Sequence, residues 1–259
     1  MNAGAPDFHD APAWFGAGNA DERYTTLAFE NILAELASAG RSPLAVYTES
    51  PPFSVASNKA DAKERFDRLF ERYTESGIPA VRLGALEEML SDGRQRDLLR
   101  ANGSKFGAVL IRGSTVPDTG LPTVADGAVF FVVKETATAA WVYRAARILA
   151  GRGQILPICM VVANCAHLEE AAVFYQDVKD EVCSLLGKNI PFRFSGFLRF
   201  DADYTSAALN AKKPIVRYFP GSPFHGQVTY VLRSLTRAIP SPPAESFLER
   251  MAARAGGSG

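Results

Sequence analysis

The sequence predicts one doubly wound α/β domain, a mostly parallel sheet with helices on both faces, and three observations carry that expectation. Short apolar runs alternate with segments whose apolar residues recur near every 3.6 positions, strand then helix, along most of the chain. The clearest run, 127–133, reads Gly-Ala-Val-Phe-Phe-Val-Val without polar alternation, as a parallel strand covered on both faces requires. No repeat of about 20 to 50 residues is visible, which disfavours solenoids and propellers.

Each element has its own local reason. Leu27, Phe29, Ile32, Leu33 and Leu36 give residues 22–39 a helical stripe that Gly40 ends. Residues 44–47 form an apolar strand between Pro43 and the turn Ser50-Pro51-Pro52. Phe66, Leu69 and Phe70 predict a helix over 60–73, followed by a strand at 78–83 and a helix at 86–99. Strands at 108–111 and 127–133, a helix at 138–150, a strand at 155–162, a helix at 168–186 and a strand at 192–200 continue the alternation. A short helix near Ser206, an extended stretch at 215–218 and a last helix at 224–238, stopped by Pro240, Pro242 and Pro243, complete it. Pro12 makes 9–14 a poor first strand, so Gly16 and Gly18 read as loop residues. The expected division is a flexible arm at 1–13, one domain at 14–240 and a tail at 241–259.

Composition narrows the function. Apolar residues make up 47% and charged residues 22%, the profile of a globular protein, and 259 residues suffice for one large core. Lys plus Arg and Asp plus Glu both total 28, so no net field draws the chain to nucleic acid, and none is expected as a partner. Cys159, Cys165 and Cys183 lack a CxxC spacing and read as reduced thiols rather than a disulfide framework or zinc site. No charged start precedes an apolar run and no apolar stretch approaches about 18 residues, so the expectation is a soluble, cytoplasmic protein. His9, His167 and His225 have no ligand spacing, and the acidic residues of 168–186 read as a solvated helix face.

Phosphate-binding α/β proteins place their chemistry where a glycine-rich loop enters a helix, because free backbone N–H groups there cradle phosphate oxygens. Here the helix is preceded by Phe15-Gly-Ala-Gly-Asn-Ala-Asp-Glu-Arg-Tyr-Thr-Thr26 and followed by Gly40 and Leu44-Ala-Val-Tyr-Thr-Glu-Ser-Pro51. This resembles the opening of the MinD/ParA class of P-loop ATPases (the SIMIBI class), which includes flagellar-placement and polysaccharide tyrosine-kinase members. Thr25 and Thr26 fall on that family's paired threonines, Gly40 on its glycine and Pro51 on its proline. Further on, Val124-Ala-Asp-Gly-Ala-Val-Phe-Phe-Val-Val, Val161-Val-Ala-Asn164, Ser195-Gly-Phe-Leu-Arg-Phe-Asp, Lys213-Pro-Ile-Val216 and Phe219-Pro-Gly-Ser222 resemble later segments of the family in order, over 14–240.

The charged positions differ. Tyr24 stands where the resemblance places the phosphate-binding lysine, Asn19 where it places a second lysine, Thr48 and Ser50 at the two switch aspartates, and Arg112 at a metal-side aspartate. The resemblance therefore implies no catalytic or metal residues and no required cofactor. Residual ATP or ADP contact would fall to Gly16, Gly18, Thr25, Thr26 and Asn164, the last at the family's adenine-contacting turn. Each of these has a plainer reading beside it: a flexible loop for the glycines, an N-cap for the threonines, a turn residue for Asn164.

The function so implied is a catalytically inactive regulatory or scaffold protein that binds protein partners in cell-envelope, polysaccharide or polar-placement machinery. It would act as a homodimer, as a heterodimer with an active relative, or on a membrane-associated assembly, peripheral at the inner membrane. The alternative is a weak ATPase of the same family that uses Arg23 or Lys59 for the lysine and Asp21 or Glu49 for magnesium. An unrelated Rossmann-like binder needs a third glycine after Gly16-Ala-Gly18, which the chain lacks. Phe247, Leu248 and Met251 give 247–254 a short apolar stripe, read either as a frayed helix or as a weak membrane contact.

Overall fold

The computed structural model describes residues 12–19, 22–48, 78–93, 97, 106–113, 124–151, 156–187, 190–211, 213–238 and 247–256. The elements in chain order are β1 (Ala13–Gly18), α1 (Glu22–Ser38), β2 (Pro43–Tyr47), β3 (Ala80–Arg82), α2 (Leu83–Ser91), β4 (Ala108–Arg112), β5 (Gly127–Val133) and α3 (Thr138–Ala150). They continue with β6 (Ile158–Ala163), α4 (Leu168–Leu186), β7 (Phe192–Leu198), α5 (Ala202–Asn210), α6 (Ile215–Tyr218), α7 (Pro223–Ala238) and α8 (Phe247–Gly256). The seven strands form one sheet in the order β3-β2-β4-β1-β5-β6-β7, and every pairing is parallel. This is the expected doubly wound α/β class.

Alternate residues of each strand feed opposite layers, the period-2 rule of a pleated strand. Trp14, Ala45, Leu110, Val129 and Val161 pack under α1, α6 and α7. Ala13, Phe15, Val46 and Val109 pack under α2 and α8, and Phe130, Val132, Met160 and Val162 under α3 and α4.

Four expectations change. Residues 13–18 are a central strand, with β1 paired to β4 on one side and β5 on the other. Pro12 does not obstruct it, because Pro12 stands just outside and contributes only its carbonyl, which accepts from Val109 N–H at 3.0 Å. Residues 215–218 form a helical turn rather than an extended stretch: Pro214 opens it and Asn31 Oδ1 accepts the Val216 N–H at 2.9 Å. The helix expected over 86–99 starts earlier, at Leu83 directly after β3, while 60–73 lies outside the described residues.

The fourth change concerns the segment read as a tail. Phe247, Leu248, Met251 and Ala252 of α8 are buried against the strands and α2, so its apolar stripe faces the core. Arg250 of the same helix donates to the Val124 carbonyl at 2.9 Å and to Asp126 Oδ2 at 3.0 Å. Among the described residues, no helix is long and apolar enough to cross a membrane.

Candidate functional site

The chain order places a crevice before any residue is considered. β1 leads leftward to β2, whereas β4 leads across β1 to β5, so the strand order switches direction at β1. Ligands of open parallel sheets bind beyond the strand C-termini at such a point. Here the crevice gathers the ends of β1, β4 and β5 and the start of α1.

At the end of β1, Gly18 sits directly against Thr25 in the first turns of α1. A Cβ on Gly18 would overlap Thr25 Oγ1 and lie 2.9 Å from the Phe131 carbonyl oxygen, so only glycine lets the helix approach this closely. Thr25 is 5% exposed, and its hydroxyl has no hydrogen-bond partner among the described residues. Thr26 is half-buried beside it. Gly16 lies two residues earlier, inside the sheet between Arg112 and Val129 and facing the rings of Phe131 and Phe29.

Asn19 closes the junction. Its Oδ1 accepts the Val133 N–H at 3.0 Å, and its Nδ2 donates to Thr138 Oγ1 at 2.8 Å. The Thr138 hydroxyl in turn donates to the Val133 carbonyl at 2.6 Å, so one fully buried threonine and one asparagine tie β1 to the β5–α3 turn. Between the end of β1 and the first residue of α1 only three residues, 19–21, remain.

Aromatic side chains pack beside the first turn of α1 and the end of β4. The Tyr24 ring packs on Phe200 at 5.3 Å between centroids, and Phe200 on Phe224 at 5.3 Å. At the end of β4 the Arg112 guanidinium lies 5.9 Å from the centre of the Tyr47 ring, whose hydroxyl donates to Glu30 Oε1 at 2.7 Å. Lys134, just past β5, is held by Glu170 at 2.8 Å, and that hydrogen bond raises the lysine's pKa while it lowers the carboxyl's.

Asn164 stands apart from this junction. It is exposed at the end of β6, with β5 between its strand and β1, and its backbone takes the left-handed conformation at φ 61°. The structure thus brings Gly18, Thr25 and Thr26 together, leaves Gly16 within the sheet and sets Asn164 two strands away. Asp21, Glu49, Ser50 and Lys59 lie outside the described residues, as does the side chain of Arg23. No group of three or more His, Cys, Asp or Glu among the described residues could hold a metal ion.

Two polar clusters escaped the sequence reading. Fully buried Asn31 donates to the Leu27 carbonyl at 2.7 Å while holding the start of α6, and its one trace in the sequence is an amide inside the apolar stripe of α1. Glu35 accepts from Thr229 at 2.8 Å and pairs with His225 Nε2 at 3.0 Å, while His225 Nδ1 accepts the Gly221 N–H at 3.0 Å. With Nδ1 as the acceptor, Nε2 carries the N–H that donates to Glu35. Nothing in the sequence marks a pairing across 190 positions.

Solved structures share this fold. One chain of the MinC:MinD cell division protein complex of Aquifex aeolicus superposes with a TM-score of 0.60 at 13% identity, covering 91% of this chain and 99% of that one. A ParA family ATPase of Chlorobium tepidum TLS gives 0.57 at 12% identity over 86% and 98%. The septum site-determining protein MinD of Pyrococcus horikoshii OT3, complexed with Mg-ADP, gives 0.56 at 12% over 87% and 96%. At such identities the likeness shows the fold alone. No protein-family profile and no curated protein matches the sequence.

Proposed function

We propose that this protein acts by binding protein partners, on a MinD/ParA-like fold that no longer turns over ATP. The observation that carries the reading is the filled junction at the end of β1, where Thr25 packs on Gly18 and Asn19 is bonded to Val133 and Thr138. Phosphoryl transfer depends on a lysine, a metal held through a carboxylate, and free N–H groups around the transferring phosphate. Among the described groups, Tyr24 packs on Phe200, Arg112 lies over Tyr47 and Lys134 is engaged by Glu170. Tyr24 in place of a lysine and Arg112 in place of a metal-side carboxylate do not fit a magnesium nucleotide.

The partners would belong to cell-envelope, polysaccharide or polar-placement machinery, with the protein cytoplasmic and peripheral at the inner membrane through them. The Aquifex neighbour was solved as a complex of MinC with MinD, which supports a partner-binding role for this fold. A homodimer or a heterodimer with an active relative is the assembly this reading favours.

One observation favours the second reading, a weak ATPase with residual ATP or ADP binding at Gly16, Gly18, Thr25, Thr26 and Asn164. The buried Thr25 hydroxyl, near the N-terminus of α1 and without a hydrogen-bond partner among the described residues, would donate to a phosphate oxygen placed there. Titration with a fluorescent ATP analogue, with and without Mg²⁺, separates the two. The expected result is no saturation up to about 1 mM nucleotide, a free energy of roughly −4 kcal/mol. Tight, Mg²⁺-dependent binding would overturn the proposal and put the ATPase reading first.

A further inference from the structure

The β7 edge of the sheet carries a charge pattern that the neutral whole-chain balance hides. β7 and α7 contain Arg193, Arg233 and Arg237, Arg199 follows the strand directly, and neither element holds an Asp or Glu. All four arginines are exposed, and none forms an ion pair with a described residue. On the opposite face of the same edge, α4 exposes Glu169, Asp177, Asp180 and Glu181.

Arg193, Arg233 and Arg237 share one strip, whereas Arg199, between Leu198 and Phe200 of the α7-side core, faces away from it. The Arg199 N–H donates to Gln227 Oε1 at 2.9 Å, and a Cβ on Gly196 would lie 2.9 Å from the Tyr230 ring, so α7 runs antiparallel to β7 across the sheet face. Arg193, registered with Cys159 on the α7 face, lies about 10 Å back along the strand from Gly196. That places it beside the later turns of α7, where Arg233 and Arg237 continue the exposed stripe begun by Tyr230 at i+3 and i+7. Tyr230 itself is 51% exposed.

We propose that this strip, together with the outer edge of β7, docks an acidic, extended segment of a partner protein. The inference rests on the partner-binding half of the function above and is independent of whether nucleotide binds. Charge complementarity selects the occupant: each guanidinium fork can hold a carboxylate in bidentate fashion, while the strand edge pairs with an extended main chain. The usable edge lies before Gly196, where the register shift between Met160 and Val162 and the left-handed φ of 114° interrupt the strand. A second copy of this chain is disfavoured, because antiparallel edge pairing would set α7 against α7 and arginine against arginine. Three arginines alone would hold a polyanion or an anionic membrane no more tightly than about millimolar strength, so edge pairing has to add the rest.

Fluorescence anisotropy tests this with a fluorescein-labelled peptide of alternating Glu and Val, about twelve residues long, at about 0.1 M salt. The expected result is saturable binding with Kd below about 100 µM, weakening at least about tenfold in Arg233→Glu/Arg237→Glu and in the milder Arg233→Gln/Arg237→Gln. Glu181→Lys, on the α4 face, leaves it unchanged, and unaltered Tm values show that the variants fold. Absence of saturation by about 1 mM, equal binding by both double variants, or tighter binding of a single-stranded oligonucleotide or an anionic vesicle through the same arginines overturns the proposal. The ATP-analogue titration reads out separately, so either idea can fail while the other stands.

Discussion

Single residues decide whether the β1–α1 junction closes. Gly18→Ala would drive a methyl into Thr25 Oγ1 and the Phe131 carbonyl, one of them immobile backbone. A loss of about 2 kcal/mol in urea unfolding is expected, as for other overpacked sites. Asn31→Ala would remove the acceptor of a buried N–H, with an expected loss of about 2 kcal/mol and faster hydrogen exchange at Val216 in particular. Asp126 links stability to pH. Burial pushes its carboxyl above the ordinary 3.8, against the Ala13 N–H and Arg250, which pull it down. A raised acid pKa means that the folded state holds the proton more tightly, so this group's contribution is full below the unfolded value and declines as pH rises through the folded one. Stability of wild type relative to Asp126→Asn should therefore fall as pH climbs from about 4, and a pH series of urea melts without that slope would contradict the assignment. The sequence exposed Gly18 and Thr25 as candidates because their register was visible; the roles of Asn31, Asn19 and Asp126 depend on partners more than a hundred positions away, which no local pattern encodes.

At the scale of elements, α8 is the instructive case. Its apolar stripe was visible in the sequence, but a stripe does not say whether it faces lipid, solvent or a sheet. Phe247 is 1% exposed, so Phe247→Ala should cost about 3 kcal/mol by the combined loss of transfer energy and a cavity, measured by denaturant melts. Arg250→Ala should cost about 2 kcal/mol, less than breaking a fully sealed pair because some water reaches it. The long helices α1, α3, α4 and α7 were legible almost to the residue, because a dozen or more positions of consistent period outweigh any single exception. β1 departs from the sequence expectation because Pro12 breaks a strand only where its missing N–H or its ring is in the ladder, and here it stands outside.

Across the whole molecule, the sheet's centre and edges should differ in stability. β1 is paired on both sides, as are β2, β4, β5 and β6, whereas among the described residues β3 and β7 each have one neighbour. Native-state hydrogen exchange should find the amides of β1 and β5 among the slowest and those of β3 among the fastest; uniform protection across the sheet would contradict this ordering. By itself the sequence determined the α/β class, the parallel sheet and the positions of the main helices, because these follow from apolar period and local breakers. It also determined which residue types stand at the glycine-loop register, since that is a matter of order along the chain. Only the tertiary structure decided that Gly16 and Gly18 belong to a strand, that Asn164 stands two strands from Thr25, that α8 covers the core, and that the arginines of β7 and α7 form one strip. These depend on which segments neighbour one another in space, and burial, hydrogen bonding and charge fields act through that proximity rather than through separation along the chain.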